Sequence, residues 1–254
     1  MGLANNKSIA WGIAKACHDA GAELAFTYMG DAFKKRVEPL ANSINVTNIY
    51  DCDAGNAESL DNVFSALEAE WGSLDFVVHA IGFSDKSELK GAYYNTSRQN
   101  FADTMLVSAF SFTEVAAAAR KMMPNGGSLL TMSYLGGVRT SPNYNVMGVA
   151  KAALEASVRY LASDLGPDGV RVNAISAGPM RTLAGSAVGA ARQIYNYSRE
   201  VAPLRRNVML DDVGGAGLYL LSDLSKAVTG EIHYVDCGFN AIGMPDPAAK
   251  NGDG

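Results

Sequence analysis

Three short stretches decide the fold: Ser128-Leu129-Leu130-Thr131-Met132-Ser133, Val146 to Leu165, and Val170-Arg171-Val172-Asn173-Ala174-Ile175. The first and third are brief, apolar and β-branched, as strands buried on both faces are. The second is too long for a strand and rich in Ala and Leu, so it reads as a helix. A strand, a helix and a strand in that order form a crossover that leaves the two strands parallel.

Working outward, the same alternation covers the chain. Ala22 to Tyr28, Val46 to Tyr50, Leu74 to Ile81 and Glu231 to Val235 read as further strands. Ile9 to Asp19, Ala57 to Trp71, Phe101 to Met123 and Asp211 to Ser222 read as helices. Leu60, Val63, Phe64 and Leu67 carry the i, i+3, i+4, i+7 spacing of one helix face. The expected fold is α/β, a single domain with a doubly wound, Rossmann-like parallel sheet over residues 1–244. A barrel of alternating strands and helices is the other fold of this length. The opening glycine loop and a long helix with charged residues near the strand tips favour the open sheet. Pro245 to Gly254 is polar and reads as a loose tail.

In a doubly wound nucleotide-binding fold, a strand precedes the first glycine loop. Here Gly2 follows Met1 directly. The first strand is therefore expected to be missing from the middle of the sheet, with strand edges left unpaired.

The composition is that of an ordinary globular protein. Among 254 residues, 21 are Lys or Arg and 26 are Asp or Glu, for a formal net charge of −5, and 48% are hydrophobic. Mild acidity argues against general nucleic-acid binding. No apolar run reaches the ~18 residues of a membrane span. No secretory signal is visible at the start, and Met1-Gly2 is not a myristoylation signal because Asn6 stands where Ser or Thr belongs. Cys17, Cys52 and Cys237 lack metal-like spacing and read as reduced thiols of a cytoplasmic protein.

Several stretches carry possible chemistry. The loop from Gly2 to Gly12 runs into the Ile9 helix, whose free N–H groups suit a pyrophosphate. It is not a strict dinucleotide fingerprint, and a plain capping loop with Ser8 near the N-cap fits it equally well. At the end of the second strand, Met29 stands where an acidic ribose ligand is common, so NADH and NADPH are not distinguished there. Asp53 follows the third strand and reads either as an adenine acceptor or as a turn aspartate. His79 reads as a core histidine before it reads as a catalyst. Tyr144 and Lys151 are seven residues apart, close to two helical turns, and share a helix face. A phenol beside an ammonium can hydrogen-bond a developing oxyanion and hold cofactor hydroxyls. Ala177 to Thr182 forms a turn suited to a nicotinamide amide. Leu183 to Ala191 is rich in Ala and Gly and reads as part of a mobile lid around 183–205.

Taken together, the chain resembles the NADH-dependent enoyl-acyl-carrier-protein reductases, a divergent branch of the short-chain dehydrogenase/reductase family. The resemblance lies in Ser8 to Ala14, Ala22 to Tyr28, Ser133-Tyr134-Leu135-Gly136, Pro142 to Gly148, Arg171 to Pro179 and Gly230 to Phe239. Ordinary members of the wider family carry Tyr-x3-Lys; this chain carries Tyr-x6-Lys and His79-Ala80-Ile81-Gly82. The resemblance implies reduction of a trans-2-enoyl thioester by NADH in bacterial fatty-acid synthesis, with Tyr134, Tyr144 and Lys151 catalytic. It places NADH on Gly2, Ser8, Ile9, Asp53, Ala54, Ile81, Lys151, Met180 and Thr182. It places the acyl chain against Phe83, Ser84, Met147, Ala184 and Val188. It also implies a homotetramer, no metal, and acyl-carrier protein as partner. That partner is acidic, which points to steering by Arg192, Arg199, Arg205 or Arg206. Met29 departs from a glutamine of the relatives, and Gly189 and Ala191 depart from the usual lid residues. A ketone or alcohol reductase of the same fold, or a truncated inactive homologue, are the competing readings.

Overall fold

The computed structural model describes residues 1–182 and 191–244. Its elements in chain order are α1 (Ile9–Asp19), β1 (Phe26–Tyr28), α2 (Gly30–Ser43), β2 (Ile49–Asp51), α3 (Ala57–Trp71), β3 (Phe76–His79), α4 (Arg98–Met105), α5 (Ser111–Lys121), β4 (Gly127–Ser133), α6 (Asn145–Leu165), β5 (Val170–Ala177), α7 (Ala191–Val201), α8 (Leu210–Leu221) and β6 (Ile232–Val235). All strand pairings among these elements are parallel.

The helices cover both faces of the sheet, and the strand residues show why. Along β4, Leu129 packs with Phe64, Phe112, Leu154 and Val158 from α3, α5 and α6. Its neighbour Leu130 packs with Ile13, Val37, Val213 and Leu220 from α1, α2 and α8. β5 repeats the alternation, with Val172 and Ala174 toward the first group and Ile175 and Ala177 toward the second. Successive strand side chains point to opposite faces, so a strand apolar at every position needs a helical layer on each side.

The sheet falls into two pieces, β1–β2 and β3–β4–β5–β6. Between β1 and β3 lies an apolar slot of about 340 Å³, lined by Leu3, Ile13, Phe26, Val63, Phe64 and Val77 among others. Met1 enters its end: the Met1 backbone nitrogen donates to the Val78 carbonyl at 2.7 Å, and the Ala80 N–H donates to the Met1 carbonyl at 3.2 Å. The unpaired strand edges expected from the sequence are these two. β1 is also shorter than the Ala22 to Tyr28 stretch, because a strand paired on one side alone holds little of its length.

Two helices were not evident in the sequence. α2 begins at Gly30 and contains Pro39, two residues that read as breakers, yet Val37 and Ala41 are buried beneath it. α7 occupies much of the segment read as a lid. The long helix expected over Phe101 to Met123 is α4 and α5 joined by a π turn at Leu106–Phe110. The three cysteines are buried and free, and burial pushes the Cys17 and Cys52 thiols up to about 11. Residues 183–190 and 245–254, and with them Ala184, Val188 and the expected tail, lie outside the described residues.

Candidate active site

Because the strands are parallel, their carboxyl ends share one edge of the sheet, where doubly wound folds bind ligands. β3 ends at His79, β4 at Ser133 and β5 at Ala177. Tyr134 follows β4 directly, and Tyr144 stands at the N-cap of α6. Their rings meet edge to face, with centroids 5.0 Å apart. Gly136 permits the contact: a Cβ there would lie 2.5 Å from the Tyr144 ring and 3.1 Å from the Tyr134 ring. Burial raises the pKa of both phenols, most strongly for Tyr144, so both remain proton donors.

Lys151 lies on the buried face of α6 and is 7% exposed. Its ammonium donates to the Met132 carbonyl at 2.7 Å, across the contact between α6 and β4. Burial lowers its pKa to about 8, against a raising influence from Glu155. The loop after β3 closes on the same place: a Cβ on Gly82 would lie 3.9 Å from the Lys151 Nζ. Phe83 in that loop is exposed, and the Ser108 hydroxyl clamps it, accepting from its N–H and donating to its carbonyl, each at 2.9 Å. Ser108 belongs to the π turn, so the extra residue there re-aims a hydroxyl at the loop. Met147 sits in the first turn of α6, next to Tyr144.

Ser84 is placed differently from the exposed Phe83. It is buried, donates to Asn100 Oδ1 at 3.2 Å, and accepts from the Thr104 hydroxyl at 3.0 Å. His79 is a satisfied core residue. Its ring nitrogens face the Thr131 hydroxyl at 3.2 Å and the Ser111 hydroxyl at 2.9 Å, and burial holds it neutral with a pKa lowered to about 3.

The cofactor candidates gather along the same edge. Gly2 has φ +87°, and a Cβ there would lie 2.2 Å from the Ala80 carbonyl, so only glycine lets the first loop cross β3 this closely. Ser8 precedes α1, but its hydroxyl accepts from the Ala4 and Asn5 N–H groups at 3.1 and 3.0 Å and makes no bond to the first turn. The Trp11 N–H donates to the Ser8 carbonyl at 2.9 Å, so the amide groups at the head of α1 that can meet another acceptor are those of Ile9 and Ala10. Ile81 is half-buried beyond β3. Asp53 follows β2, and its carboxylate accepts from the Gly55 N–H at 2.8 Å; Ala54 beside it is buried. Met180 and Thr182 lie in the turn after β5, where the Thr182 N–H donates to the Met180 carbonyl at 2.9 Å. These groups fit an extended dinucleotide: a close-crossing glycine loop, an uncapped helix head and a buried ammonium on one strand-end edge. Among the described residues, several buried polar side chains escaped the sequence reading, and two of them stand out. One is Glu155, one helical turn beyond Lys151. The other is Asn207, whose amide oxygen and nitrogen are buried without hydrogen-bond partners.

Against this geometry, comparison with known proteins is direct. The family described as Enoyl-(Acyl carrier protein) reductase matches residues 2–240. The chain belongs to that family. It is 60% identical over 245 residues to "Enoyl-[acyl-carrier-protein] reductase [NADH] 2" of Rhizobium meliloti, covering 96% of this chain and 91% of that protein. It is 50% identical to the NADH enoyl-acyl-carrier-protein reductase of Rickettsia bellii, covering 95% of this chain and 92% of that protein. Among solved structures, the Anaplasma phagocytophilum enzyme in complex with NAD superposes with a TM-score of 0.92 at 56% identity, covering 97% of this chain and 92% of that one. The FabI structure from Candidatus Liberibacter asiaticus gives a TM-score of 0.95 at 54% identity, covering 97% and 95%.

Proposed function

We propose that this reductase-family chain reduces the trans-2 double bond of enoyl-acyl-carrier-protein thioesters with NADH, as a step of fatty-acid synthesis. The observation that carries the reading is the packing of Tyr134 on Tyr144 seven residues before a buried Lys151, at the carboxyl edge of the sheet. Bound NADH supplies the hydride that the β-carbon of the enoyl group accepts. The chain does the rest. Tyr144, kept protonated by burial, donates a hydrogen bond to the thioester oxygen as the enolate develops there, and a proton from solvent then adds to the α-carbon to complete the reduction. Tyr134 walls the acyl site and orients the Tyr144 ring. Lys151, anchored on the Met132 carbonyl, holds ribose hydroxyls and places positive field beside the oxyanion. Gly2, Ser8, Ile9 and Ile81 cradle the phosphates and the inner ribose. Asp53 and Ala54 meet the adenine, and Met180 and Thr182 meet the nicotinamide amide. Phe83 and Met147 bound the acyl pocket, to which the family resemblance also assigns Ala184 and Val188, while Ser84 packs behind Phe83 against Asn100 and Thr104.

The acyl-carrier protein docks near α7, where Arg192 and Arg199 are exposed, while Arg206 is already paired with Asp212. The protein acts in the cytoplasm; among the described residues no helix is long and apolar enough to cross a membrane. It assembles as a homotetramer, in keeping with the exposed Phe101, Phe110 and Tyr160.

The test is NADH oxidation by the purified chain with a short trans-2-enoyl thioester, beside a panel of ketones. Turnover of the enoyl substrate alone is expected. Turnover of ketones alone, by a folded protein that binds NADH, would overturn the assignment. Reversing the charge of Arg192 and Arg199 should raise KM for the carrier-bound substrate and spare the small thioester.

A further inference from the structure

Glu155 is the one carboxylate on the buried face of α6, where Val146, Ala150, Leu154, Val158 and Ala162 otherwise form an apolar stripe. It is 4% exposed. A carboxylate in such a place is costly unless it is hydrogen-bonded or faces a positive charge. Glu155 does both. Its Oε1 accepts from the Ser133 hydroxyl at 2.5 Å, and it lies one helical turn from Lys151 on the same face. Ser133 stands between two residues of the site: Met132, whose carbonyl takes the Lys151 ammonium, and Tyr134. The turn after Tyr134 rests on the same oxygen, since a Cβ on Gly137 would lie 3.1 Å from it.

We propose that Glu155 is a positioning residue of the reductase reaction: through Ser133 it fixes the β4 tip that carries Tyr134 and the Lys151 acceptor, and it sets a carboxylate one helical turn from the Lys151 ammonium. This rests on the function proposed above. Burial and Glu155 are the influences that move the Lys151 titration, in opposite directions. The titratable groups around the pair are Tyr144 on α6, Tyr134 after β4, His79 on β3 and Tyr234 on β6. The turns at 135–137 and 106–110 that pack on α6 carry no titratable residue. The neighbouring elements α4, α5 and β5 carry the charged residues Arg98, Asp103, Glu114 and Arg171.

The experiment compares the full chain with Glu155→Gln, Ser133→Ala and Glu155→Asp. Lys151 is titrated in the cofactor-free proteins by the NMR signal of isotopically methylated lysines. NADH affinity is followed by fluorescence from mildly acidic to alkaline pH, and kcat and KM are measured with a short enoyl thioester. Glu155→Gln keeps the shape and an acceptor for Ser133 but loses the charge. The Lys151 pKa should fall by about one unit, so that NADH binds roughly tenfold more weakly at mildly alkaline pH and nearly normally in acid. Ser133→Ala should leave that titration in place and lower kcat roughly threefold to tenfold, with NADH affinity unchanged. Glu155→Asp should restore the Lys151 titration but not kcat, because the shorter side chain falls short of Ser133. A Lys151 titration in Glu155→Gln that superimposes on the unmodified chain, with kcat within about twofold, would overturn the proposal. So would a drop in melting temperature with no other change. If the unmodified chain does not reduce the enoyl substrate, the function fails, while the Lys151 titration still decides the role of Glu155.

Discussion

The two halves of the sheet differ in how they are held. β3 to β6 form a continuous ladder in which β4 pairs along its whole length, Gly127 to Ser133 against Val170 to Ser176. β1 and β2 pair over three residues each and face the slot. The chemistry is divided along the same line. Tyr134, Tyr144, Lys151 and the loop to Phe83 stand on the four-stranded half. Asp53 and Ala54 stand on the two-stranded half, and the head of α1 lies over the slot between them. On the function proposed above, the reacting end of the site is held by a paired ladder. The half that carries Asp53 and Ala54, assigned above to the adenine, has free strand edges, and backbone groups at such edges are satisfied less well. What holds the first loop against the larger half is the short pairing of Met1 with β3, together with the helix contact behind it. There α1 and α8 touch backbone to backbone: a Cβ on Gly12 would lie 2.7 Å from the Leu210 carbonyl oxygen.

The largest expected effect tests the four-stranded half. Tyr144→Phe keeps the ring on Tyr134 and removes the hydroxyl. Steady-state turnover should fall by about 10²–10³-fold, the usual cost of one oxyanion donor, with NADH affinity retained. Unchanged turnover would take the chemistry away from this half.

The slot tests the other half. A segment of about five Val and Ile residues joined ahead of Met1 would find two free strand edges and apolar walls. Each buried side chain contributes roughly 1.5–3 kcal/mol, set against about 1–2 kcal/mol of ordering per residue. The net gain should be a few kcal/mol, or about 5–10 °C in melting temperature. Hydrogen exchange should slow at β1 and β2 more than at β5. A uniform change, or none, would show that the halves are equally supported.

Gly136→Ala sharpens the comparison inside the stronger half. The new methyl overlaps the Tyr144 ring, so the turn or the ring must shift, at about 1–3 kcal/mol. Melting temperature should drop by a few degrees, and kcat more than NADH affinity. Equal losses in both would mean that the tyrosine pair and the cofactor site move as one unit.

The smallest effect is expected at Asp53→Asn. The side chain still accepts from the Gly55 N–H, so the turn survives and only the charge goes. NADH affinity should weaken by about twofold to fivefold, within the range of a single exposed polar contact. A loss beyond tenfold would place more of the cofactor energy on the weaker half than its geometry suggests.

Legibility in the sequence follows the range of the interactions. The spacing of seven placed Tyr144 and Lys151 on one helix, and the structure sets Tyr144 at the N-cap of α6 and Lys151 on its buried face. The core role of His79 was also within reach, since a histidine inside an apolar strand needs only neighbours with hydroxyls. Ser84 shows the limit. Its hydroxyl turns inward to Asn100 and Thr104, and nothing local says that α4 will lie there. α2 was hidden because Gly30 and Pro39 signal a break, while the burial of Val37 and Ala41 that overrides the signal comes from the rest of the fold.

What the sequence by itself determined was the alternation of strand and helix, the parallel sheet, and the residues that make this a member of the enoyl reductase family. These follow from period, composition and motif, all of which are local. The tertiary structure alone decided that the sheet falls into unequal parts, that Gly136 lets two tyrosines meet, that Ser108 clamps the loop at Phe83, and that Glu155 turns to Ser133. Each depends on a second segment, distant in the chain, arriving within a few ångströms, and no pattern along one strand or helix specifies where that partner stands.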